Sequence, residues 1–375
     1  MKKIKKIMLV ANSGKIGGGN RSLISICQEL LVLGKEVRVV LPAIGVFKQE
    51  LDELGIDNAV IGTSGCGRLA SIKLIILQLA YVLRFGPQII HVNDIHSFKF
   101  YGLIGKLTGI KTVCHMRHFV QEEAFNYFLS SLPDKIVFNS TYNKNKTLNN
   151  IEENKLAINR SEVIYNSFIK ENYFKPDTRA EQRNIFGYTD ELVVGVVGNI
   201  NPGKGHIVFL KSIPAIIKNS NNNPEKLRFI FVGEDVTGSG IYKECKDLIG
   251  DLGLDKVVSF FPFQNDIAPV YAALDVLVIP SEEEPFGRVA VEGLLAKRPI
   301  AAANNSGLAE ILSAYKTPVL FDVQSSEDVV TKLCGLIDNL PSSESLGIDQ
   351  CMASDYFSSK EQFGQLCSAY ISLFE

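Results

Sequence analysis

Residues 193–210, VVGVVGNINPGKGHIVFL, pass from an apolar run into a glycine-rich loop and then into a second apolar segment. Such a run is typical of a buried parallel strand, and a glycine loop between a strand and a helix is typical of phosphate-binding sites. Gly198, four residues, Gly203 and Lys204 satisfy all but the last position of the nucleotide-hydrolase loop. That position requires a Ser or Thr hydroxyl for magnesium, and here it is Gly205. The stretch therefore predicts a strand, a loop and a helix, but not a nucleotide hydrolase.

Short runs rich in Val and Ile recur along the chain, with longer helix-like segments between most of them. This alternation predicts parallel sheets covered by helices, which is the α/β class. The pattern starts again after residues 165–191, a polar segment without a sustained period, which is typical of a domain boundary. The predicted strands are Ile7–Ala11, Val37–Leu41, Ile89–Asn93, Thr112–His115 and Ile136–Asn139, followed by Leu192–Gly198, Arg228–Gly233, Val257–Pro262, Val276–Pro280, Ile300–Ala303 and Val319–Phe321.

The length of the chain, 375 residues, suits two domains that each bury a core. We predict one doubly wound domain at residues 1–170 and a second at residues 191–355, with a linker at residues 171–190.

Charge and cysteine content exclude several classes of protein. The net charge of −2 and the pI near 6.3 provide no basic field for nucleic acid, so a small ligand is the expected partner. The seven cysteines form no C-x-x-C pair, which favours reduced thiols and a cytoplasmic location over a disulfide framework or a zinc site. The apolar run Ile7–Ala11 is too short for a secretory signal and is interpreted as a strand.

Residues 68–86, RLASIKLIILQLAYVLRFG, carry apolar side chains on nearly every helical face. The segment is short for a membrane-spanning helix, and two interpretations remain open: a helix packed on both sides, or a peripheral contact with a membrane surface. Aromatic side chains and three lysines at residues 97–111 favour the second interpretation slightly. The predicted membrane contact therefore covers residues 68–111.

The loop after the predicted strand 276–280 contains the residues expected to bind a ligand, because ligands bind at the carboxyl ends of parallel strands. A helix is predicted to begin at Pro285, and its amides at Phe286–Val289 would hold a diphosphate. Glu292, farther along the helix, suits the paired hydroxyls of a ribose. Glu284 precedes the helix and suits the group joined to the second phosphate. The spacing of the two glutamates therefore fits a nucleotide-sugar.

The stretch EPFGRVAVE, residues 284–292, resembles the E-x7-E signature of the retaining GT-B glycosyltransferases of family 4. Other motifs extend the resemblance along the whole chain: GKIGGGN, HVND, FNS, VIYNSF, GNINPGKG, FVGE, LDVLVIPS and SGLAEI. The resemblance implies a GT-B fold, in which two Rossmann-like domains face each other across a cleft. It also implies that residues 356–375 form a terminal helix that returns to the first domain.

The resemblance implies roles for particular residues. Lys204 would neutralise the donor diphosphate, Glu284 would orient the hydroxyls of the transferred sugar, and His115 would lie beside its reacting carbon. Asn199 stands where the family often has Arg, and either Arg288 or Arg117 could supply the missing charge. The residues implied to bind the nucleotide-sugar are Gly18, Gly19, Asn199, Phe263, Phe286, Gly287, Arg288, Val289 and Glu292.

The implied activity is retaining transfer of a hexose-type sugar from a nucleotide-sugar, with UDP favoured, to a glycan or lipid-linked glycan of a surface polysaccharide. No D-x-D motif lies near these loops, so neither a metal nor another cofactor is expected. His91, His96 and His118 are expected to be structural or surface groups. Ser22 at the third fingerprint position argues against a dehydrogenase. Two alternatives stay open: a sugar-nucleotide epimerase, and a non-catalytic nucleotide-sugar-binding subunit.

Overall fold

The computed structural model describes residues 1, 3–62, 68–120, 133–148, 158–235 and 238–375. Of residues 68–71 it describes the helical backbone alone. The chain forms two compact units. Unit 1 comprises Met1–Phe168 and Phe357–Glu375, and unit 2 comprises Ile169–Tyr356. The segment at residues 356–375 therefore belongs, apart from its first residue, to the same unit as the first half of the chain.

Unit 1 contains a parallel sheet of seven strands in the order β3-β2-β1-β4-β5-β6-β7. The order reverses direction between β1 and β4, as in a doubly wound fold. The strands are β1 (Lys6–Val10), β2 (Glu36–Leu41), β3 (Asn58–Val60), β4 (Ile89–Val92), β5 (Lys111–Met116), β6 (Lys135–Phe138) and β7 (Ser161–Val163).

Helices cover this sheet and bury its Val and Ile side chains in two apolar clusters. The helices are α1 (Gly18–Val32), α2 (Val46–Glu53), α3 (Arg68–Phe85), α4 (Ile95–Thr108) and α5 (Thr141–Leu148), with α14 (Gly364–Ser372) at the end of the chain. A π-helical turn at Ser359–Phe363 leads into α14. Tyr370 of α14 is fully buried in the cluster that includes Ile89, Val113 and Val137 of the sheet.

Unit 2 contains a six-stranded parallel sheet in the order β10-β9-β8-β11-β12-β13, which reverses direction between β8 and β11. Its strands are β8 (Leu192–Val197), β9 (Leu227–Val232), β10 (Val258–Phe261), β11 (Val276–Ile279), β12 (Ile300–Ala303) and β13 (Val319–Phe321). Its helices are α6 (Arg179–Phe186), α7 (His206–Asn219), α8 (Ile241–Asp251), α9 (Ala268–Ala273), α10 (Arg288–Leu295), α11 (Ser306–Leu312), α12 (Ser326–Asp338) and α13 (Ser343–Tyr356).

The predicted strands are all present, with boundaries shifted by one residue at most. The sequence missed β3 and β7, which have three residues each and form the two edges of the unit 1 sheet. Three residues are too few to display a hydrophobic period, and an edge strand is buried less completely. Both strands are at most partly buried.

Much of the segment predicted as a linker, residues 171–190, packs within unit 2. Helix α6 lies there, and Arg179 Nη2 and Arg183 Nη1 both bind the Asp275 carboxylate, at 2.6 and 3.1 Å. Asp275 immediately precedes β11, so these ion pairs attach the segment to the second sheet.

Helix α3 exposes one apolar face. The interpretation of this segment as a helix packed on both sides therefore does not hold for its described side chains. Ile72, Ile76, Leu77 and Leu83 are each more than half exposed, whereas Gln78, Val82 and Phe85 on the other face are buried. No helix among the described residues is both long and apolar enough to cross a bilayer.

Candidate active site

The carboxyl ends of β8 and β11 bring two predicted site residues of unit 2 together. These strands are neighbours at the point where the strand order reverses, the usual position for a ligand in such sheets. Lys204 lies in the loop after β8, and Glu284 lies in the loop after β11. A backbone hydrogen bond of 2.8 Å from Glu282 N to Gly203 O joins the two loops.

Glycine is required at position 205 because the two loops approach each other closely. Gly205 has a φ of 72°, and an added Cβ would lie 1.8 Å from the carbonyl oxygen of Pro280. A similar contact occurs at Gly233, where an added Cβ would lie 1.9 Å from Gly198 O. The glycines of GNINPGKG and FVGE therefore permit backbone contacts that hold Lys204 at the sheet edge.

The carboxylate of Glu284 accepts hydrogen bonds from two side chains. Its Oε1 accepts from Lys204 Nζ and, at 3.0 Å, from Ser281 Oγ. The main chain of Glu284 is fixed as well, because its N–H donates to Ser306 Oγ at 2.9 Å and its carbonyl accepts from Gly307 N at 3.0 Å. The Glu284 side chain is mostly buried and that of Lys204 is one-third exposed, so the pair is held in place but remains accessible.

Helix α10 begins at Arg288, three residues later than predicted, so the predicted start at Pro285 is wrong. Gly287 precedes it with a φ of 94°, in the left-handed region, and this turns the chain before the helix. Phe286 lies before that turn and is buried, with its carbonyl against Gly307. Of the four amides predicted to hold a diphosphate, only those of Arg288 and Val289 lie in the first helical turn, where amides lack intrahelical acceptors.

Glu292 is almost completely buried, and both of its carboxylate oxygens have partners in unit 2. Oε2 accepts from Tyr271 Oη at 2.8 Å, and Oε1 is 3.3 Å from Arg288 Nε. Arg288 Nη2 also donates to Tyr173 Oη at 3.1 Å. Burial and the adjacent Glu292 carboxylate raise the pKa of Tyr271, so its hydroxyl stays protonated and donates. The Arg288 side chain is thus directed to Glu292 and Tyr173 and is only 14% exposed.

His115 lies near the end of β5 in unit 1, in contact with a second buried histidine. His115 Nδ1 is 3.2 Å from His91 Nε2, and His91 Nδ1 is 2.6 Å from Tyr370 Oη. Burial, followed by the charge of Arg117, lowers the pKa of both rings, that of His91 to about 3. Both rings are therefore neutral at physiological pH.

Arg117, directly after β5, is held by two asparagines. Its Nε donates to Asn93 Oδ1 at 2.8 Å and its Nη1 donates to Asn166 Oδ1. Asn93 Nδ2 in turn donates to the carbonyl of Gly19 at 2.9 Å. Gly18 and Gly19 form the first turn of α1, so this network joins the glycine loop to the ends of β4 and β5.

Asn199 and Phe263 both lie on loops after strands of unit 2, and both side chains are exposed. Asn199 follows Gly198 at the end of β8, and Phe263 follows β10. Neither joins the hydrogen-bonded cluster around Lys204 and Glu284. Within the described residues, no group of three His, Cys, Asp or Glu side chains is placed to hold a metal ion.

Several residues at these sites were missed by the sequence analysis. Ser281 and Ser306 belong to the quoted motifs LDVLVIPS and SGLAEI, which were not given residue roles. His91 was expected to be structural, and it is buried, but it also contacts His115. For Tyr173, Tyr271 and Tyr370 no local pattern exists, because each meets its partner only through the packing of distant elements.

Two family models match successive parts of the chain. The model described as glycosyl transferases group 1 matches residues 177–348, and that described as glycosyltransferase family 4 matches residues 16–168. The D-inositol 3-phosphate glycosyltransferase of Saccharomonospora viridis is 32% identical over 160 residues, which cover 41% of this chain and 37% of that relative. The match thus spans little more than a third of the relative's length.

Solved structures resemble the chain over almost its entire length. The crystal structure of Anabaena HepE in complex with UDP and glucose has a TM-score of 0.87 at 22% identity and covers 98% of this chain and 100% of that one. Sucrose-phosphate synthase from Thermosynechococcus elongatus has a TM-score of 0.79 at 17% identity, with 99% of each chain covered. At these identities the likeness shows a shared fold.

Proposed function

Because the chain belongs to the group 1 glycosyltransferases of family 4, which have the GT-B fold, we propose that it transfers a hexose-type sugar from a UDP-sugar to a glycan or lipid-linked glycan. One observation carries this proposal: Lys204 and Glu284 are paired at the carboxyl ends of β8 and β11, where the strand order reverses. UDP is favoured as the nucleotide because Anabaena HepE, which shares the fold, binds UDP and UDP-glucose.

The ammonium group of Lys204 neutralises the diphosphate in this proposal. A diphosphate carries more negative charge than the Glu284 carboxylate, so it competes effectively for the lysine when the donor binds. The released carboxylate then accepts hydrogen bonds from hydroxyls of the transferred sugar. Removing a comparable preorganised electrostatic donor costs about 3–4 kcal/mol of transition-state stabilisation.

Glu292 binds the ribose in this proposal. Its carboxylate is already oriented by Tyr271 and Arg288, so little conformational freedom is lost when two ribose hydroxyls bind to it. The ribose would compete with Arg288 for Oε1, while the Tyr271 bond to Oε2 remains. Phe263, exposed on the loop after β10, offers an apolar surface for the base.

Transfer proceeds with retention and without a metal in this proposal. The bond between the anomeric carbon and the phosphate oxygen breaks, the acceptor hydroxyl attacks the same face, and its proton passes to the departing phosphate oxygen. Lys204 and the first-turn amides of α10 stabilise the charge that develops on the diphosphate. The side chains of Lys204 and Glu284 thus supply charge and orientation, with no covalent intermediate.

We propose a lipid-linked acceptor of surface polysaccharide synthesis, reached at an anionic membrane surface. The support is the exposed apolar face of α3, formed by Ile72, Ile76, Leu77 and Leu83. Lys73 and Arg84 on the same helix are exposed, as are Lys99 and Lys106 on the adjacent α4, so apolar and basic groups occur together. The described cysteines are free thiols, which fits the reducing cytoplasmic side.

The donor is tested by thermal shift of the full chain with UDP, GDP, ADP and their sugar conjugates, with and without EDTA. Stabilisation by the uridine series in the presence of EDTA is expected. Stabilisation by another nucleotide series would overturn the choice of UDP, and a shift abolished by EDTA would overturn metal independence. Conversion of the donor to an isomeric nucleotide-sugar without any acceptor would favour the epimerase alternative.

Membrane contact is tested by cosedimentation with vesicles of phosphatidylcholine, with and without phosphatidylglycerol. Binding to the anionic vesicles is expected, and the double variant Ile76→Ser, Leu77→Ser should lose most of it. Ile185→Ser is the matched control, because Ile185 is equally exposed but lies on α6 of unit 2. Equal sedimentation of the wild type with and without vesicles would overturn the membrane proposal.

A further inference from the structure

Three buried side chains of unit 1 form a continuous hydrogen-bonded row. Tyr370 Oη is 2.6 Å from His91 Nδ1, and His91 Nε2 is 3.2 Å from His115 Nδ1. All three side chains are almost fully buried, and the Nε2 atom of His115 has no hydrogen-bond partner among the described residues. The row therefore ends at a ring nitrogen whose hydrogen-bonding capacity the described residues leave unused.

Strand register explains why the two histidines meet. His91 on β4 lies opposite Val113 on β5, and His115 is two residues beyond Val113. Residues two apart on a strand point to the same face of the sheet, so His91 and His115 share the face on which α14 packs. Tyr370 reaches His91 from that helix.

The hydroxyl of Tyr370 fixes the direction of the hydrogen bonds. Among the described residues, His91 Nδ1 is the only hydrogen-bonding atom that this hydroxyl contacts. If Tyr370 donates to His91 Nδ1, then the His91 proton is on Nε2 and is donated to His115 Nδ1. The proton of a neutral His115 is then on Nε2.

The opposite direction is less favourable because it leaves more buried groups unsatisfied. In that arrangement His115 donates to His91 and His91 donates to Tyr370. The hydroxyl proton of Tyr370 then has no acceptor among the described residues, and His115 Nε2 is left as an unsatisfied acceptor. The first direction leaves only the Nε2–H of His115 without a partner, and unsatisfied buried polar groups are costly.

We propose that Tyr370 and His91 are positioning residues that hold His115 in its Nε2–H tautomer, so that His115 donates a hydrogen bond to the substrate instead of accepting a proton. Burial keeps both rings neutral, which is required for a single defined tautomer. The terminal helix thereby acts on His115 through two hydrogen bonds. The kinetic part of this inference rests on the proposed sugar transfer, but the tautomer does not.

The tautomer is measured directly by long-range proton–nitrogen correlation spectra of the full chain labelled with ¹⁵N-histidine. We expect His91 and His115 each to show a protonated Nε2 and an unprotonated Nδ1 that accepts a hydrogen bond. Assignment uses His91→Gln and His115→Gln. A protonated Nδ1 on His115 would overturn the inference, whatever the activity of the protein.

The role of the hydroxyl is tested with Tyr370→Phe. We expect a shift of the His91 Nδ1 signal and a loss of roughly threefold to tenfold in kcat, the size of one net hydrogen bond, with the donor KM unchanged. Tyr101→Phe is the matched control, because Tyr101 is equally buried in unit 1 and its hydroxyl has no hydrogen-bond partner among the described residues. Identical spectra and kcat in the two variants would overturn the role of Tyr370.

Rescue by a conservative change separates positioning from packing. Gln at position 91 retains an oxygen that can accept from Tyr370 and an amide that can donate to His115, whereas Leu retains neither. We expect His91→Gln to keep more of the wild-type kcat than His91→Leu at similar melting temperatures. Equal kcat in both variants would overturn the positioning role of His91.

Inactivity of the wild type with every UDP-sugar would instead remove the proposed sugar transfer. The spectra would still decide which tautomer His115 adopts.

Discussion

Lys204 donates a hydrogen bond to the Oε1 atom of Glu284, although the two residues are 80 positions apart in the chain. Ser281 donates to the same oxygen, and Ser306 and Gly307 fix the main chain of Glu284. The carboxylate is therefore anchored by unit 2 itself, while the ammonium group is free to exchange partners at the exposed end of its side chain. A pair of this kind can hold the site in order before the donor binds and can release the lysine to a diphosphate afterwards.

Replacing Lys204 by Ala should reduce kcat with a UDP-sugar about 100-fold or more, because the charge that stabilises the leaving diphosphate is lost. Steady-state kinetics with the identified donor measures this effect. Lys211→Ala, an exposed lysine on α7, is the control and should retain wild-type turnover. Near-normal turnover of Lys204→Ala would remove the lysine from the mechanism.

Replacing Glu292 by Ala should raise the donor KM with a smaller change in kcat, because the carboxylate is proposed to bind the ribose in both ground and transition states. The same variant should weaken UDP binding in a calorimetric titration. Glu244→Ala removes an exposed carboxylate from α8 and should leave both values unchanged. Unchanged UDP affinity of Glu292→Ala would exclude the ribose assignment.

Replacing Gly205 by Ala should destabilise the protein far more than the same change at Gly253. Both glycines have positive φ, 72° and 66°, so both alanines carry a backbone cost of about 1 kcal/mol. Only at Gly205 does the new Cβ meet a backbone atom, Pro280 O at 1.8 Å, whereas Gly253 has open space. Urea unfolding followed by circular dichroism compares the two variants. Equal midpoints would show that the contact relaxes without cost.

The free energy of unfolding should depend on the protonation of His206. Burial and the nearby charge of Lys204 lower its pKa in the folded protein to about 4, below the unfolded value of 6.5. Between these values the unfolded chain binds more protons, so stability decreases as pH falls from about 6.5 to about 4, by up to about 1.4 kcal/mol per pH unit.

The variant His206→Gln should lose less stability than the wild type between pH 7.5 and pH 5, measured by urea unfolding at both values. Ser212→Ala, a buried change on the same helix, serves as the control and should alter stability equally at both pH values. The same loss of stability with pH in His206→Gln and in the wild type would contradict the lowered pKa.

The order of strands and helices and the family were determined largely by the sequence. Fully buried parallel strands must be apolar along their length, so runs such as Val276–Ile279 are visible without a structure. The family resemblance drawn from motifs such as EPFGRVAVE is confirmed by models that match both halves of the chain. The roles given to Lys204, Glu284, Glu292 and His115 stay predictions until the variants are measured.

Tertiary structure alone decided the exact start of α10, the partners of each polar group and the edge strands β3 and β7. Gly287 turns the chain before the helix with a φ of 94°, and Gly307 and Leu308 pack closely against Phe286 and Gly287. His91 and Tyr370 are 279 positions apart, and their contact depends on where α14 packs on the first sheet. Local sequence reports backbone preference and burial, whereas a hydrogen bond between distant side chains depends on distances that only the packed fold defines.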